Sequence, residues 1–321
     1  MGQQGENGIA WTDATWNCVR GCSRVSAGCA RCYAERMAAR FSGPGLPYEG
    51  LAEMTPSGPR WTGRVRLVED KLEEPLGWKR PRRIFVNSMS DLFHEGLSFD
   101  DILRVFQVMA RARHHTFQVL TKRPERMLEF FNWLDPAGDR EVGRMGTRLL
   151  SVCAMQPWPL RHVWLGVSVE DQRAADDRIP LLLQTPAAVR FLSCEPLLGP
   201  VDLLRVSWPE SHRVDVLRFG YWTEGGSFVN HSDMWDRFER PIQWVIAGGE
   251  SGPGARPMDL QWLISLVNQC RDAGTALFVK QFGDRPVLNG APFDLAGSKG
   301  GAPEHWPEAF RVREFPGVPL A

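Results

Sequence analysis

The sequence has no surplus of charge of either sign. Its 38 Lys and Arg balance 38 Asp and Glu over 321 residues, a formal net charge of zero at pH 7. That balance excludes a globally basic nucleic-acid binder but leaves room for a local basic patch. Also missing is any apolar run near the ~20 residues that a membrane-spanning helix requires. The stretch Met1 to Gly8 is polar, so no secretory leader is expected. Glu6 stands where the myristoylation pattern that begins at Gly2 calls for Ser or Thr. No Gly-x-Gly-x-x-Gly follows an early strand and no Walker-type loop is present, so open nucleotide-binding sheets lose their usual fingerprints. There is no internal repeat or low-complexity tract. No membrane association is expected and a cytoplasmic location is. In that reducing compartment, clustered cysteines signal metal or catalysis more often than disulfides.

What is present is an ordinary globular composition, 43% hydrophobic and 24% charged, long enough to bury a full core. Short apolar runs recur, each followed at once by polar or small residues: Ile84 to Val86, Thr116 to Leu120, Val163 to Val167, Val189 to Leu192, Ile242 to Ile246 and Ala276 to Val279. A first strand is expected around Ile9 to Trp11. Runs of this kind predict parallel strands buried on both faces. Helical segments lie between them. Ser98 is placed as an N-cap before Ile102 to Met109, and Pro124 opens a helix through Trp133. Asp171 to Leu183 forms a third, with Pro180 as a kink or end. Met258 to Ala273 forms a fourth, closed by Gly274.

The alternation predicts an α/β fold, a full or partial TIM-like (β/α) barrel of about six to eight strands with its site at the C-terminal strand ends. A single domain over residues 1–321 is expected, with insertions at about 135–160 and 200–240; the second is a candidate cover for the site.

Chemistry is concentrated in Trp16-Asn-Cys18-Val-Arg-Gly-Cys22 and on through Cys29-Ala-Arg-Cys32. The spacing is Cys-x3-Cys-x6-Cys-x2-Cys. Soft thiolates gathered in one loop suit zinc or an iron–sulfur cluster. A closed zinc site would use all four cysteines, although x6 is short for paired zinc knuckles. A cluster on three thiolates leaves one iron open, which can chelate S-adenosylmethionine. Cys153, Cys194 and Cys270 have no partner spacing; Cys270 reads as core, while Cys194 ends a strand and could face the site. His94, His114 and His115 have no ligand spacing either and read as ordinary.

Several longer segments carry a family likeness. They are Ile9-Ala-Trp-Thr-Asp-Ala-Thr-Trp-Asn17, Cys22-x6-Cys29-x2-Cys32-Tyr-Ala-Glu-Arg36, Phe85-Val-Asn-Ser-Met-Ser-Asp-Leu-Phe-His94 and Gly248-Gly-Glu-Ser-Gly-Pro-Gly-Ala-Arg-Pro257. Leu165-Gly-Val-Ser-Val-Glu170, Ser193-Cys-Glu-Pro-Leu-Leu-Gly199 and Phe278-Val-Lys-Gln281 add to it, so the likeness covers nearly the whole chain. Together they resemble a phage and bacterial three-cysteine-motif family that is radical-SAM-like and distantly akin to spore photoproduct lyase. The resemblance implies a barrel of the radical-SAM type and a 4Fe–4S cluster on Cys22, Cys29 and Cys32, with S-adenosylmethionine at the open iron. It further implies a 5′-deoxyadenosyl radical acting on an unknown substrate, and an electron donor such as flavodoxin or ferredoxin. The spacing departs from the usual Cys-x3-Cys-x2-Cys of radical-SAM enzymes. Cys18 is an extra thiol, open as a fourth ligand or as the first ligand in place of Cys22.

Other strand-end residues are candidates to hold that cofactor or its substrate. Asn87, Ser88 and Asp91, together with Ser90, are placed to hydrogen-bond a methionine end or, alternatively, to cap the following turn. Glu170 and Glu195 are candidates to bind ribose hydroxyls or to act as acid and base, and Ser168 is a further cofactor-binding candidate. Gly248, Gly249 and Glu250 allow close backbone approach to a ligand, or form a tight turn. Glu195 and Lys280 are the catalytic candidates, and Lys122 a lesser one. Glu170 with Glu195 would also fit a glycosidase pair. Basic stretches at Lys79 to Arg83, Arg111 to His115 and Lys122 to Arg126 are compatible with a nucleic-acid strand, or with solvated loops. The alternative function is a zinc-stabilised nucleic-acid-binding protein without catalysis. Trp133, Trp164, Trp244 and Trp262 fall within predicted elements and are expected in the core.

Overall fold

The architecture follows from apolar runs that are buried along their whole length. The computed structural model describes residues 8–135, 147–153, 158–208, 212–218, 220–223, 228–230, 241–294 and 300–317. In it Val163–Ser168 and Val189–Cys194 are buried at every position. Exposed and buried positions do not alternate, as expected of parallel strands covered on both faces. The chain divides into two compact units, one built on Met1–Leu165 with Thr185–Ala188, the other on Gly166–Gln184 and Val189–Val318.

The first unit carries β1 (Ala14–Trp16), β2 (Val19–Arg20), α1 (Tyr33–Arg40), β3 (Ala52–Thr55), β4 (Gly58–Trp61), β5 (Arg66–Leu67), α2 (Glu69–Leu72), β6 (Arg83–Val86), α3 (Phe99–Arg111), β7 (Thr116–Thr121), α4 (Pro124–Leu134) and α5 (Thr147–Cys153). Strand β8 (Val163–Ser168) includes the boundary. The second unit continues with α6 (Gln172–Gln184), β9 (Val189–Cys194), β10 (Val206–Trp208), β11 (His212–Asp215), β12 (Gly220–Trp222), β13 (Phe228–Asn230), β14 (Trp244–Gly248), β15 (Met258–Asp259), α7 (Leu260–Ala273), β16 (Ala276–Gln281), β17 (Pro286–Leu288) and β18 (Ala291–Pro292). The main sheet has seven strands in the order β1-β6-β7-β8-β9-β14-β16. Its β1/β6, β6/β7, β9/β14 and β14/β16 pairs are parallel. The fold is therefore mixed α/β. Its strand order has two ends, so the closed form of the expected barrel is not formed by the described residues.

In the first unit, α3 begins with a reciprocal capping box between Ser98 and Asp101 and buries Ile102, Val105, Phe106 and Met109. Helix α4 starts at Pro124 and adds Phe130 and Phe131 to the aromatic core around Phe106. Trp16 is fully buried, with its indole N–H donating to the Lys71 carbonyl at 2.7 Å. In the second unit, Trp244 packs against Phe191, Phe278 and Phe315. Helix α7 ends at Gly274, whose φ of +66° supplies the left-handed cap.

Five local expectations need correction. The first strand is Ala14–Trp16 and not Ile9 to Trp11, because the Thr12 hydroxyl and Asp13 amide already bond the Arg83 carbonyl and lead the chain into β1. The run at Ile242 pairs only from Trp244. Met258 and Asp259 pair as β15, and the Asp259 side chain then caps α7. Pro180 lies inside α6, which continues to Gln184, so of the two expected roles it does not end the helix. Trp164 and Trp244 are core, whereas Trp133 and Trp262 are half-buried. Part of the segment expected as an insertion at about 200–240 forms the antiparallel sheet β10-β11-β12-β13. Residues 209–211, 219, 224–227 and 231–240 lie outside the described residues, as do 136–146 and 154–157 of the other expected insertion, so the expected cover cannot be placed.

Replacing Ser98 by Ala removes one half of the capping box and is expected to lower stability by about 1 kcal/mol. Urea unfolding checks this as a lower midpoint at unchanged slope.

Candidate functional site

The cysteine loop leaves the C-terminal end of β1 and is attached there by backbone. The Asn87 amide donates to the Trp16 carbonyl at 2.8 Å, and Gly21 bridges Ser90. Gly21 has a φ of +92°, and a Cβ there would lie 2.1 Å from the Arg64 carbonyl oxygen. Only glycine turns the chain at that point. The loop divides the four clustered thiols. Cys18 is wholly buried, and its Sγ lies 3.7 Å from Asn87 Oδ1 as a donor. Burial pushes its pKa well above the ordinary thiol range. Cys22, Cys29 and Cys32 are half-buried. They lie within electrostatic reach of one another, Cys22 of Cys32 and Cys32 of Cys29. Burial, then the charge of Asp91, pushes Cys22 up to about 12. Burial raises Cys32 as well. Thiols raised in this way need a strong positive partner to become thiolate.

Two ion pairs brace the loop. Arg24 pairs with Glu35 in the first turn of α1, and Glu35 also accepts the Trp61 amide at 2.9 Å. Arg123 follows β7 with its side chain 4% exposed. Its guanidinium donates to Asp91 Oδ2 at 3.1 Å, to Glu95 at 3.0 Å, and to the Ser23 hydroxyl and carbonyl at 2.8 and 3.2 Å. Its Nη1 also lies 4.0 Å from Cys22 Sγ. The Asp91 carboxylate is filled by four donors: the Phe93 and Lys122 amides, the Thr121 hydroxyl and Arg123. Asn87 Oδ1 accepts the Val19 amide at 3.1 Å, and Ser88 Oγ donates to Asn17 Oδ1 at 3.2 Å. Asn87, Ser88 and Asp91 thus shape the loop: the Asn87 and Asp91 side-chain oxygens accept from the protein itself, and the Ser88 hydroxyl donates to it. His94 is no bystander. Its Nδ1 accepts the Gly96 amide at 3.0 Å and its Nε2 lies 2.9 Å from the Ser23 hydroxyl. Burial, then Arg123, lowers its pKa.

The second unit holds the other candidates. Glu170 is buried and its Oε2 accepts from Arg178 at 2.7 Å; Arg178 also donates to the Ser168 carbonyl. Glu250 is held by the Arg256 amide and guanidinium at 2.7–3.0 Å. Glu195 Oε1 and Lys280 Nζ meet at 2.9 Å, with the two side chains 13% and 25% exposed. A Cβ on Gly249 would lie 2.2 Å from the Phe282 carbonyl oxygen. Gly248 and Gly249 therefore let the ends of β14 and β16 close together, a packing role. With Glu170 committed to Arg178 and Glu195 to Lys280, the paired-carboxylate hydrolase loses its free acid and base. Cys194 is fully buried, within electrostatic reach of Cys270, Glu195 and Glu170, and burial raises its pKa.

Soft, half-exposed sulfur beside a buried guanidinium fits an iron–sulfur group in donor chemistry, with Cys22, Cys29 and Cys32 as the set. Among the described residues, no group of three His, Cys, Asp or Glu side chains is placed to hold a metal ion. A family model described as a protein of unknown function, DUF5131, matches residues 6–294. The chain belongs to this DUF5131 family. No curated protein and no solved structure matches it. Arg24, Glu35 and Arg123 were not singled out from the DUF5131 sequence. Glu35 follows Cys32 by three residues, the one local sign that it returns to the loop. The basic stretches are largely used internally: Arg111 pairs with Glu73, Arg82 lies over Trp78 and the His114 ring bonds the Trp78 carbonyl.

Asp91→Ala leaves Arg123 buried without its best partner and is expected to cost about 3 kcal/mol, measured by chemical denaturation. A His with a lowered folded pKa makes the unfolded chain take up the extra proton, so stability falls as pH drops below ~6.5. His94→Gln is expected to flatten that part of the stability profile.

Proposed function

We propose that the protein is an iron–sulfur, S-adenosylmethionine-dependent radical enzyme on a partial (β/α) barrel, with Cys22, Cys29 and Cys32 as the cluster ligands. The observation that carries this reading is the division of the thiols, three half-exposed on one strand-end loop and Cys18 buried against Asn87. Cys22, Cys29 and Cys32 would hold the cluster, which would supply one-electron reductive cleavage of S-adenosylmethionine to methionine and a 5′-deoxyadenosyl radical for hydrogen abstraction from a substrate, with a donor such as flavodoxin or ferredoxin as the reductant that the resemblance implies.

The protein's own residues would bind and position. Arg123 offsets thiolate charge beside Cys22 and fixes Ser23, while Arg24 and Glu35 hold the far side of the loop. Lys280 and Glu195 retain exposed surface at their strand ends. They could donate to an anionic oxygen of the substrate and accept from a hydroxyl. A zinc-stabilised, non-catalytic site built on all four cysteines draws less support, because Cys18 is buried against Asn87.

Anaerobic reconstitution tests the ligand set. Wild type and Cys18→Ala are expected to bind about four iron and four sulfide per chain, and Cys22→Ala, Cys29→Ala and Cys32→Ala to bind much less. One zinc without sulfide, or iron lost in Cys18→Ala, would contradict the proposal.

A further inference from the structure

The outer face of α1 carries exposed rings and cations; the Tyr33 hydroxyl donates to the Ser88 carbonyl, which holds that ring at the surface. The helix buries Ala34, Glu35, Ala38 and Ala39. Tyr33, Met37 and Phe41 recur at four-residue spacing, which sets them along one face, and are 49%, 40% and 46% exposed. Arg36 and Arg40 interleave with them, and Arg31 precedes the helix. Among the described residues none of these three guanidiniums has an ion-pair or hydrogen-bond partner.

The cationic surface continues past the helix end. The Tyr48 amide donates to the Phe41 carbonyl at 3.0 Å. One residue earlier, the Pro47 carbonyl receives both Arg20 and Arg66, at 3.5 and 2.9 Å. Arg20 and Arg66 are direct cross-strand partners in the β2/β5 pair. Like charges placed opposite each other in a ladder repel; these two share the neutral Pro47 carbonyl, and Arg20 also lies over the Tyr48 ring. An anion there would relieve the repulsion. From Arg20 to Arg66 the chain has eight Arg and no Lys against three Glu and no Asp, a local excess of five positive charges in a neutral protein. Of those glutamates, Glu35 is buried under Arg24 and Glu49 accepts the Gly45 amide, leaving Glu53 exposed on β3.

We propose that this face binds a single-stranded nucleic acid that runs along α1 toward Cys32. Its phosphates would sit on Arg20, Arg66, Arg36 and Arg40, and its bases would stack on Phe41 and Tyr33. Guanidinium suits phosphate through its planar donor fork. Exposed rings between the cations suit a ligand that offers phosphate and π-face in turn. An acidic protein would satisfy the charges but leave the ring spacing without a role. That the bound strand is also the substrate rests on the proposed function; the binding itself does not.

The test is fluorescence polarisation of labelled dT15 and U15 with the full-length chain between 50 and 200 mM salt. Binding should weaken with salt by a log–log slope of about 0.7 per phosphate contacted, so Arg36→Gln/Arg40→Gln should lower the slope by about 1.4. Phe41→Ala should weaken binding about tenfold. Thermal unfolding should be unchanged in these variants, since the replaced side chains project from the surface. Preference for dT15 or for U15 identifies the sugar, and either result supports the proposal. Failure of the wild type to bind, or binding unaffected by both variants, overturns it. So does equal competition by polyglutamate with no effect of Phe41→Ala, which would mark the face as a site for an acidic protein. Cys29→Ala should keep oligonucleotide binding, so a failure of the iron–sulfur reading remains distinguishable from a failure of this one.

Discussion

Everything around the cysteine loop depends on one buried cation. Arg123 gives up nearly all of its hydration, a cost of several kcal/mol for an isolated charge that only close, well-directed partners offset. It finds them in Asp91, Glu95 and the Ser23 hydroxyl and carbonyl. Asp91 follows β6, Arg123 follows β7, and Ser23 belongs to the loop after β1. One guanidinium therefore fixes the ends of three adjacent parallel strands relative to one another. Asp91 in turn accepts the Lys122 amide and the Thr121 hydroxyl, so the carboxylate orders the β7 end while it neutralises the cation. The same charge lies near Cys22, where it favours thiolate over thiol. Stability of the loop and reactivity of its sulfur are thus linked through one side chain.

The second unit follows a similar principle with different components. Glu170 and Glu250 are each matched by an arginine, and glycine at 248 and 249 lets two strand ends close without side chains. Of its strand-end carboxylates, Glu195 is paired instead with a lysine, and both members retain exposed area. Lysine is a flexible point charge that surrenders a partner more readily than a bidentate arginine does. That difference separates carboxylates held in a rigid guanidinium fork from one held by a flexible, part-exposed ammonium.

Much of this architecture was legible because burial on both faces writes itself as uninterrupted apolar runs. The strands at Ile84, Thr116, Val163, Val189 and Ala276 were readable on that basis, as were the caps at Ser98, Pro124 and Gly274. The start of β1 was not, because Ile9 to Trp11 is as apolar as Ala14 to Trp16, and only the bonds from Thr12 and Asp13 to Arg83 decide between them. The cysteine loop stood out by spacing, but spacing says nothing of which thiol faces inward. Cys18 is removed from the set by Asn87, a residue 69 positions away. Asn87, Ser88 and Asp91 were noticed as polar strand-end residues, yet their partners are other parts of the same loop system. Such long-range pairing has no local signature. For the same reason His94 reads as ordinary in the sequence and Arg123 as one cation of a basic stretch.

The central claim is that three thiols on this loop hold an iron–sulfur cluster with one iron free for S-adenosylmethionine. The most direct test is the EPR spectrum of the reduced, anaerobically reconstituted protein, recorded with and without S-adenosylmethionine. A reduced-cluster signal whose line shape changes when S-adenosylmethionine is added is the predicted result. A signal indifferent to S-adenosylmethionine, or no reducible cluster, would contradict it.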